Sequence, residues 1–368
     1  MVNLVRRCST PEEWRTWLKT PLYCTARKGE LDLVKALVES GADVHGRFDT
    51  FPATALHAAA AKDHPAVLQE LVRAGADTEV THTRGNTALH LAASWGREAA
   101  VKTLLGAGAA VDAKTADERQ MNALLCACEH AYTGVVKVLL DGGANVHVQV
   151  AGGDFRDETA LHMVAARGYA EVVGQLLDAG ARVDARGGLG TTALHRAASM
   201  GHTTVVRQLA GAGANVGATD EDTRKTPLHY AAYFGHAAVI PCLVGVGAEK
   251  EVRDRHGYTP LHDAAMWGPF ESVKTLLEAG ADNCAHGDDG NSPLHLACTY
   301  LKQDCVLRSS SASGWMSWPW TTKAAHPARL SATGWPMVTG TRPRRRASLP
   351  CCRMPPRTVP GAAGGGWS

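Results

Sequence analysis

The sequence predicts a mainly α-helical solenoid of stacked helix–turn–helix pairs sharing one continuous core. Three observations carry that prediction. A tetrapeptide of the form Thr/Ser-Ala/Pro-Leu-His returns along the chain at a nearly constant interval. Most copies run into an alanine-rich stretch, a glycine, and then apolar residues at helical spacing. Aromatic residues make up 6% of the chain, which suits closely packed small-residue helices better than a bulky sandwich core.

Seven full copies are Thr54–His57, Thr87–His90, Thr159–His162, Thr192–His195, Thr226–His229, Thr259–His262 and Ser292–His295. Two weaker copies are Thr20–Tyr23 and Asn122–Leu125. Their leucines fall at 22, 56, 89, 124, 161, 194, 228, 261 and 294, in steps of 34, 33, 35, 37, 33, 34, 33 and 33 residues. Counting these leucines numbers the repeats one to nine. Within one period, Thr, Ser or Asn is a helix N-cap, and proline fits the first turn because its missing N–H has no helical partner there anyway. Histidine at the third helical position can bond back to the cap, a variation on the capping box. In the third repeat a short helix through Leu91, Ala92 and Ala93 is broken by Gly96. A second helix then carries Val101, Leu104 and Leu105 on one face and is closed by Gly108. In the fourth repeat Leu125 replaces the histidine, so a weaker cap is expected there.

These residues resemble the ankyrin-repeat family. Its pattern of Thr-Pro-Leu-His, Ala-Ala, Gly-His, Val-Val, Leu-Leu and Gly-Ala-Asp-Val is matched almost in full from Thr259 to Asp282, and the resemblance covers residues 20–308 as eight full repeats and a partial ninth. It implies a curved stack of helix pairs linked by β-hairpin-like fingers. Residues 1–19, with Thr10-Pro11 as a helix start and Trp14, Trp17 and Leu18 behind it, are expected to cap the first repeat.

The regularity stops at residue 309, where Ser309-Ser310 stands in place of the expected leucine pair. Residues 309–368 are expected to be a disordered, non-repeat tail. Five of the nine tryptophans lie there, and their single codon allows the next reading frame to be examined. Starting on the third base forces Asp across Trp315-Met316, Ala across Trp318-Pro319 and Asp across Trp320-Thr321, which continues the repeat in register. Loss of reading frame near residue 308 is therefore expected.

Charge and composition narrow the function classes. Residues 301–368 hold eight Arg and two Lys against one Asp, a balance of +9, so a chain of net charge +2 leaves −7 on the remainder. A mildly acidic body makes no case for nucleic-acid binding. No apolar run has the length of a membrane span, and no apolar stretch near the N-terminus has the length of a signal peptide. Ten unevenly spaced cysteines then read as reduced thiols, and a monomer in the cytoplasm is expected, with the nucleus as the alternative compartment.

No catalytic residue, cofactor or metal site is expected. One motif histidine per repeat marks a structural cap rather than a metal centre. Cys126, Cys128 and His130 point to different helix faces, and the two cysteines read as core. The glycine pairs at 106/108, 211/213 and 245/247 follow helices rather than precede them, so they are caps and not phosphate loops.

Binding a partner protein is the expected function. The resemblance places the two residues before the glycine of each first helix on the concave surface, and they vary where the scaffold does not. Trp95, Arg167, Met200, Tyr233, Phe234, Met266, Trp267 and Tyr300 are the expected contact residues, with Tyr233, Phe234, Met266 and Trp267 as anchors. Fingertip residues including Arg119, Phe155, Arg253, Arg255 and Tyr258 supply a polar rim. The alternative expectation is that the array is the targeting fragment of a larger regulatory enzyme or channel.

Overall fold

The computed structural model describes residues 21–48, 52–82, 85–153 and 156–300. The expected N-terminal cap, the tail from residue 309 and the fingertip residue Phe155 lie outside them. Residues 21–28 are helical and pair with α1 (Leu31–Glu39). The next pairs are α2 (Ala55–Lys62) with α3 (Pro65–Arg73), α4 (Ala88–Ser94) with α5 (Glu98–Gly106), and α6 (Ala123–Cys128) with α7 (Thr133–Asp141). They continue as α8 (Ala160–Arg167) with α9 (Ala170–Asp178), α10 (Ala193–Ser199) with α11 (Thr203–Gly211), and α12 (Pro227–Phe234) with α13 (Val239–Gly245). Last come α14 (Pro260–Met266) with α15 (Phe270–Glu278), and α16 (Pro293–Thr299), which opens the ninth repeat.

Each first helix packs on the first helix of the next repeat, and each second helix on the next second helix. The motif leucines 56, 89, 124, 161, 194, 228 and 261 are buried, as are the small residues behind them, an alanine pair in most repeats, Ala127-Cys128 in the fourth and Val164-Ala165 in the fifth. Alanine brings neighbouring backbones close, while Val172, Val173 and Leu176 and their counterparts fill the layer between second helices. Full burial of one such leucine is worth about 1.5–3 kcal/mol, so the core is a sum of similar layers.

The histidine does two jobs. Within the cap, the Thr159 N–H donates to His162 Nδ1 at 3.3 Å and the Thr159 hydroxyl lies 2.9 Å from the same nitrogen. Nδ1 is thus an acceptor, so the proton sits on Nε2, and Nε2–H donates to the Thr191 carbonyl of the next finger at 3.1 Å. The same bridge runs from His57 to Asn86, His90 to Met121, His195 to Lys225, His229 to Tyr258 and His262 to Asn291, at 3.0–3.2 Å. The fourth repeat keeps its cap through Asn122, whose side-chain oxygen accepts from the Leu125 N–H at 3.0 Å. Leu125 has no ring nitrogen to accept from the Asn122 N–H, which is the weaker cap expected, and it also forfeits the bridge to the next repeat.

The glycine after the first helix is needed for close approach as well as for its backbone. Gly168 has φ 77°, and a Cβ there would fall 2.5 Å from Nδ1 of His202, whose Nε2 bonds the Ala166 carbonyl at 3.1 Å.

Among the described residues the fingers contain one isolated bridge, Gln149 to Thr159, and no longer strand pairing. The remaining fingers close on single backbone bonds such as Gly187 N–H to Thr191 O and Asp254 N–H to Tyr258 O, too few to register as hairpin strands. The expanded finger before the fifth repeat adds Val150 N–H to Glu158 O and Asp157 N–H to Val150 O.

Candidate functional site

The two variable positions at the end of each first helix separate by burial. The first of the pair turns toward the next repeat: Ala61, Ser94, Glu129, Ala166, Ser199 and Tyr233 are half-buried, and Met266 is buried at 9% exposure. The second turns outward, about 100° further round the helix. Lys62, Trp95, His130, Met200, Phe234, Trp267 and Tyr300 are exposed, and Arg167 is half-buried, donating to the Met163 carbonyl at 3.3 Å. Met266 is therefore removed from the expected anchors, because its side chain packs inward.

In repeats seven to nine these positions bring aromatic rings into contact. Phe234 meets Tyr233 edge-on at 4.9 Å between ring centroids, Tyr233 meets Trp267 at 5.9 Å, and Trp267 meets Tyr300 at 5.1 Å. Phe234, Trp267 and Tyr300 remain 53%, 48% and 43% exposed despite these contacts. Trp95 and Met200 occupy the same register but, among the described residues, stand apart from this row and have no ring neighbour.

Charged residues support the row from below. Lys225 projects from a finger, with Nζ 5.0 Å from the centre of the Tyr233 ring. The same ammonium donates to Asp263 at 2.6 Å and lies 3.8 Å from Asp254. Both carboxyl groups are buried, and each keeps one oxygen without a hydrogen-bond partner. Burial pushes the Asp263 carboxyl up to about 6, with Lys225 pulling the other way. Tyr230 completes the cluster by donating to Asp220 at 2.9 Å, and burial raises its phenol. A second buried pair joins Arg196 to Glu158, whose carboxyl is likewise raised by burial.

Sequence reasoning missed these groups, although a signal was present. Arg196, Tyr230 and Asp263 directly follow the motif histidine, where Ala58, Leu91, Cys126, Met163 and Leu296 stand in other repeats. Leu189 was missed too. It is an exposed leucine between glycines at a fingertip, with φ 58°, and its carbonyl accepts from the Glu221 N–H.

The expected rim residues have internal partners. Arg253 donates to the His286 carbonyl at 2.7 Å, and Arg255 donates to the Glu221 carbonyl at 2.9 Å and faces Asp222. The Tyr258 hydroxyl donates to Asp289, and its ring stacks on His262 at 5.1 Å. Arg119 pairs with Glu129. These side chains brace one finger against the next or against a first helix.

Cys126 and Cys128 are buried, and burial pushes the Cys126 thiol up to about 12. Among the described residues no group of three or more His, Cys, Asp or Glu is placed to hold a metal ion, and no helix is long and apolar enough to cross a membrane.

Helix pairs in register, tied by histidine bridges and ending in a variable exposed row, define a repeat solenoid of the kind that serves as an interaction scaffold. The chain belongs to the ankyrin-repeat family: the model for ankyrin repeats in sets of three copies matches residues 7–82, 56–150, 148–220 and 209–286. Among solved structures it is similar to the human ASB11 ankyrin repeat domain, at 28% identity over 62% of this chain and 99% of that one, with a TM-score of 0.55. It is also similar to the ankyrin repeat domain of Bcl-3, a member of the IkappaB protein family, at 28% identity over 61% of this chain and 98% of that one, with a TM-score of 0.55. No curated protein matches the chain.

Proposed function

We propose that this chain is a monomeric cytoplasmic adaptor that holds a partner protein in the groove between its first helices and fingers. Phe234, Trp267 and Tyr300 are the anchors, and Tyr233 is the ring that holds them in line. The observation that carries this reading is the row itself. Three large rings stay about half exposed while touching one another through Tyr233 across three repeats. A contiguous apolar patch of this composition is what binding hot spots are made of. Ankyrin repeats generally act as protein-interaction modules, and the row is the part of this array built for contact.

The test uses the chain as bait in native cell extract beside a variant carrying Phe234→Ala and Trp267→Ala. Circular dichroism establishes that both are folded. A partner retained by the first and lost by the second is expected. Equal capture by both folded baits would move the binding site elsewhere.

A further inference from the structure

We propose that the partner segment held by the aromatic row is a basic amphipathic α-helix. The inference rests on the reading of the row as a binding surface and adds the chemistry of its occupant. Three features of the structure lead to it.

The first is the form of the row. Its rings touch at 4.9, 5.9 and 5.1 Å, so no slot opens between ring faces for a single inserted cation or side chain. The surface is a continuous ledge. Its length is about that of three helical turns, since each turn rises 5.4 Å. A helix with apolar residues at i, i+4, i+7 and i+11 presents a matching stripe.

The second is the state of the finger backbones beside the row. An extended peptide would need free N–H and C=O groups to pair with. Here the fingers satisfy one another: Glu221 N–H donates to Leu189 O, Arg255 N–H to Thr223 O and Asp288 N–H to His256 O, at 3.0, 2.8 and 3.0 Å. A ligand lying along this wall must therefore satisfy its own backbone, which a helix does.

The third is charge. Residues 220–225, 253–258 and 286–291, with Asp263 beneath them, contain seven carboxylates against four Lys and Arg, a balance of −3 with histidines neutral. Three of those four cations are engaged: Lys225 on Asp263, Arg253 on the His286 carbonyl, and Arg255 on the Glu221 carbonyl. The exposed carboxylates of Glu221 and Asp288 have no side-chain partner among the described residues. The unsatisfied charge beside the ledge is negative, so the complementary helix carries Lys or Arg along its flanks.

The experiment titrates the full chain with synthetic peptides of about 18 residues and follows tryptophan fluorescence and calorimetric heat. One peptide is a helix with leucine at the four stripe positions and Lys or Arg elsewhere. A second replaces the basic residues by Glu, and a third keeps the basic composition but carries two central prolines. The first peptide is expected to bind at least tenfold tighter than either of the others. Its affinity should fall as salt rises and drop at least tenfold in the Phe234→Ser, Trp267→Ser variant. A folded Glu221→Lys, Asp288→Lys variant, which leaves every ring in place, should reverse the preference toward the acidic peptide.

If the proline or acidic peptide binds as tightly as the first, the inference fails while the row stays a binding surface. If the first peptide binds the ring variant as well as the original chain, the inference and the reading of the row fail together.

Discussion

Acidification from pH 7 to pH 4 should unfold this array, and the motif histidines should be the main cause. His57, His162, His195 and His229 are buried, and burial lowers each from 6.5 to about 4, against a smaller upward pull from the carbonyl each one bonds. His90 and His262 are lowered in the same direction. Between pH 6.5 and 4 the unfolded chain takes up protons at these sites and the folded chain does not, so stability falls as pH falls. A pKa difference of this size corresponds to about 3 kcal/mol per histidine at 1.36 kcal/mol for each factor of ten. Asp263, raised from 3.8 to about 6, and Glu158, also raised by burial, work in the opposite sense, Asp263 returning about 2 kcal/mol over the same acidification. The balance is a loss on the order of 10 kcal/mol, comparable with the whole stability of an ordinary domain. Urea titrations followed by circular dichroism at half-unit steps of pH measure the slope directly. Proton NMR of the imidazoles reports the site. Stability that is flat or rising as pH falls from 6.5 to 4.5, or motif imidazoles that titrate near 6.5 in the folded chain, would refute the reasoning.

Three further outcomes follow from particular contacts. Gly168→Ala should cost about 2 kcal/mol or more in urea titration, because it forces a side chain into a left-handed backbone and against the bonded His202 ring. Arg196→Met should cost about 3–5 kcal/mol by leaving Glu158 buried and unpaired, and adding Glu158→Leu should recover most of it. The stability of the original chain relative to Asp263→Asn should rise by about 2 kcal/mol as pH falls from 6 to 4, since the folded carboxyl takes up its proton first. A flat difference across that window would show that Asp263 is not raised.

The repeat was legible because its signals are local. A cap, a helix break and an apolar stripe each lie within a few residues of one another, and the steps of 33 and 34 residues repeat them until chance is excluded. The exposed row was legible for the same reason, since Phe234, Trp267 and Tyr300 hold one register. The inward turn of Met266 was not, because which member of a pair faces the next repeat depends on helix phase. The roles of Arg253, Arg255 and Tyr258 were hidden for another reason: their partners lie 31–34 residues away in a neighbouring finger. The histidine bridges are similar. The cap half lies within three residues and could be inferred, whereas the carbonyl that accepts from Nε2 is 29–31 residues on.

The charges beneath the row explain why a solenoid would place a buried Asp where a leucine would fit. Leu91 and Leu296 occupy the equivalent position in other repeats, and an apolar residue there would contribute to the core. A buried ion pair contributes less, because desolvation offsets the attraction, and replacing such a pair by packed apolar residues is often neutral or stabilising by about 1–4 kcal/mol. What the pair supplies here is position. Asp263 holds Lys225 at 2.6 Å, and Lys225 fixes the face of Tyr233, the ring that links Phe234 to Trp267. A row held in its binding geometry before the partner arrives loses less side-chain freedom on association, about 0.5–1.5 kcal/mol for each side chain otherwise ordered. The triple substitution Lys225→Met, Asp254→Asn, Asp263→Leu separates the two roles, because it leaves no buried carboxylate without its cation while Asn keeps the acceptor for the His256 and Tyr258 N–H groups. Its stability in urea should equal or exceed that of the original chain at pH 7, while its affinity for the basic helical peptide should fall several-fold. A variant that loses stability would assign the pair to the fold, and one that keeps full affinity would show that Tyr233 needs no such support.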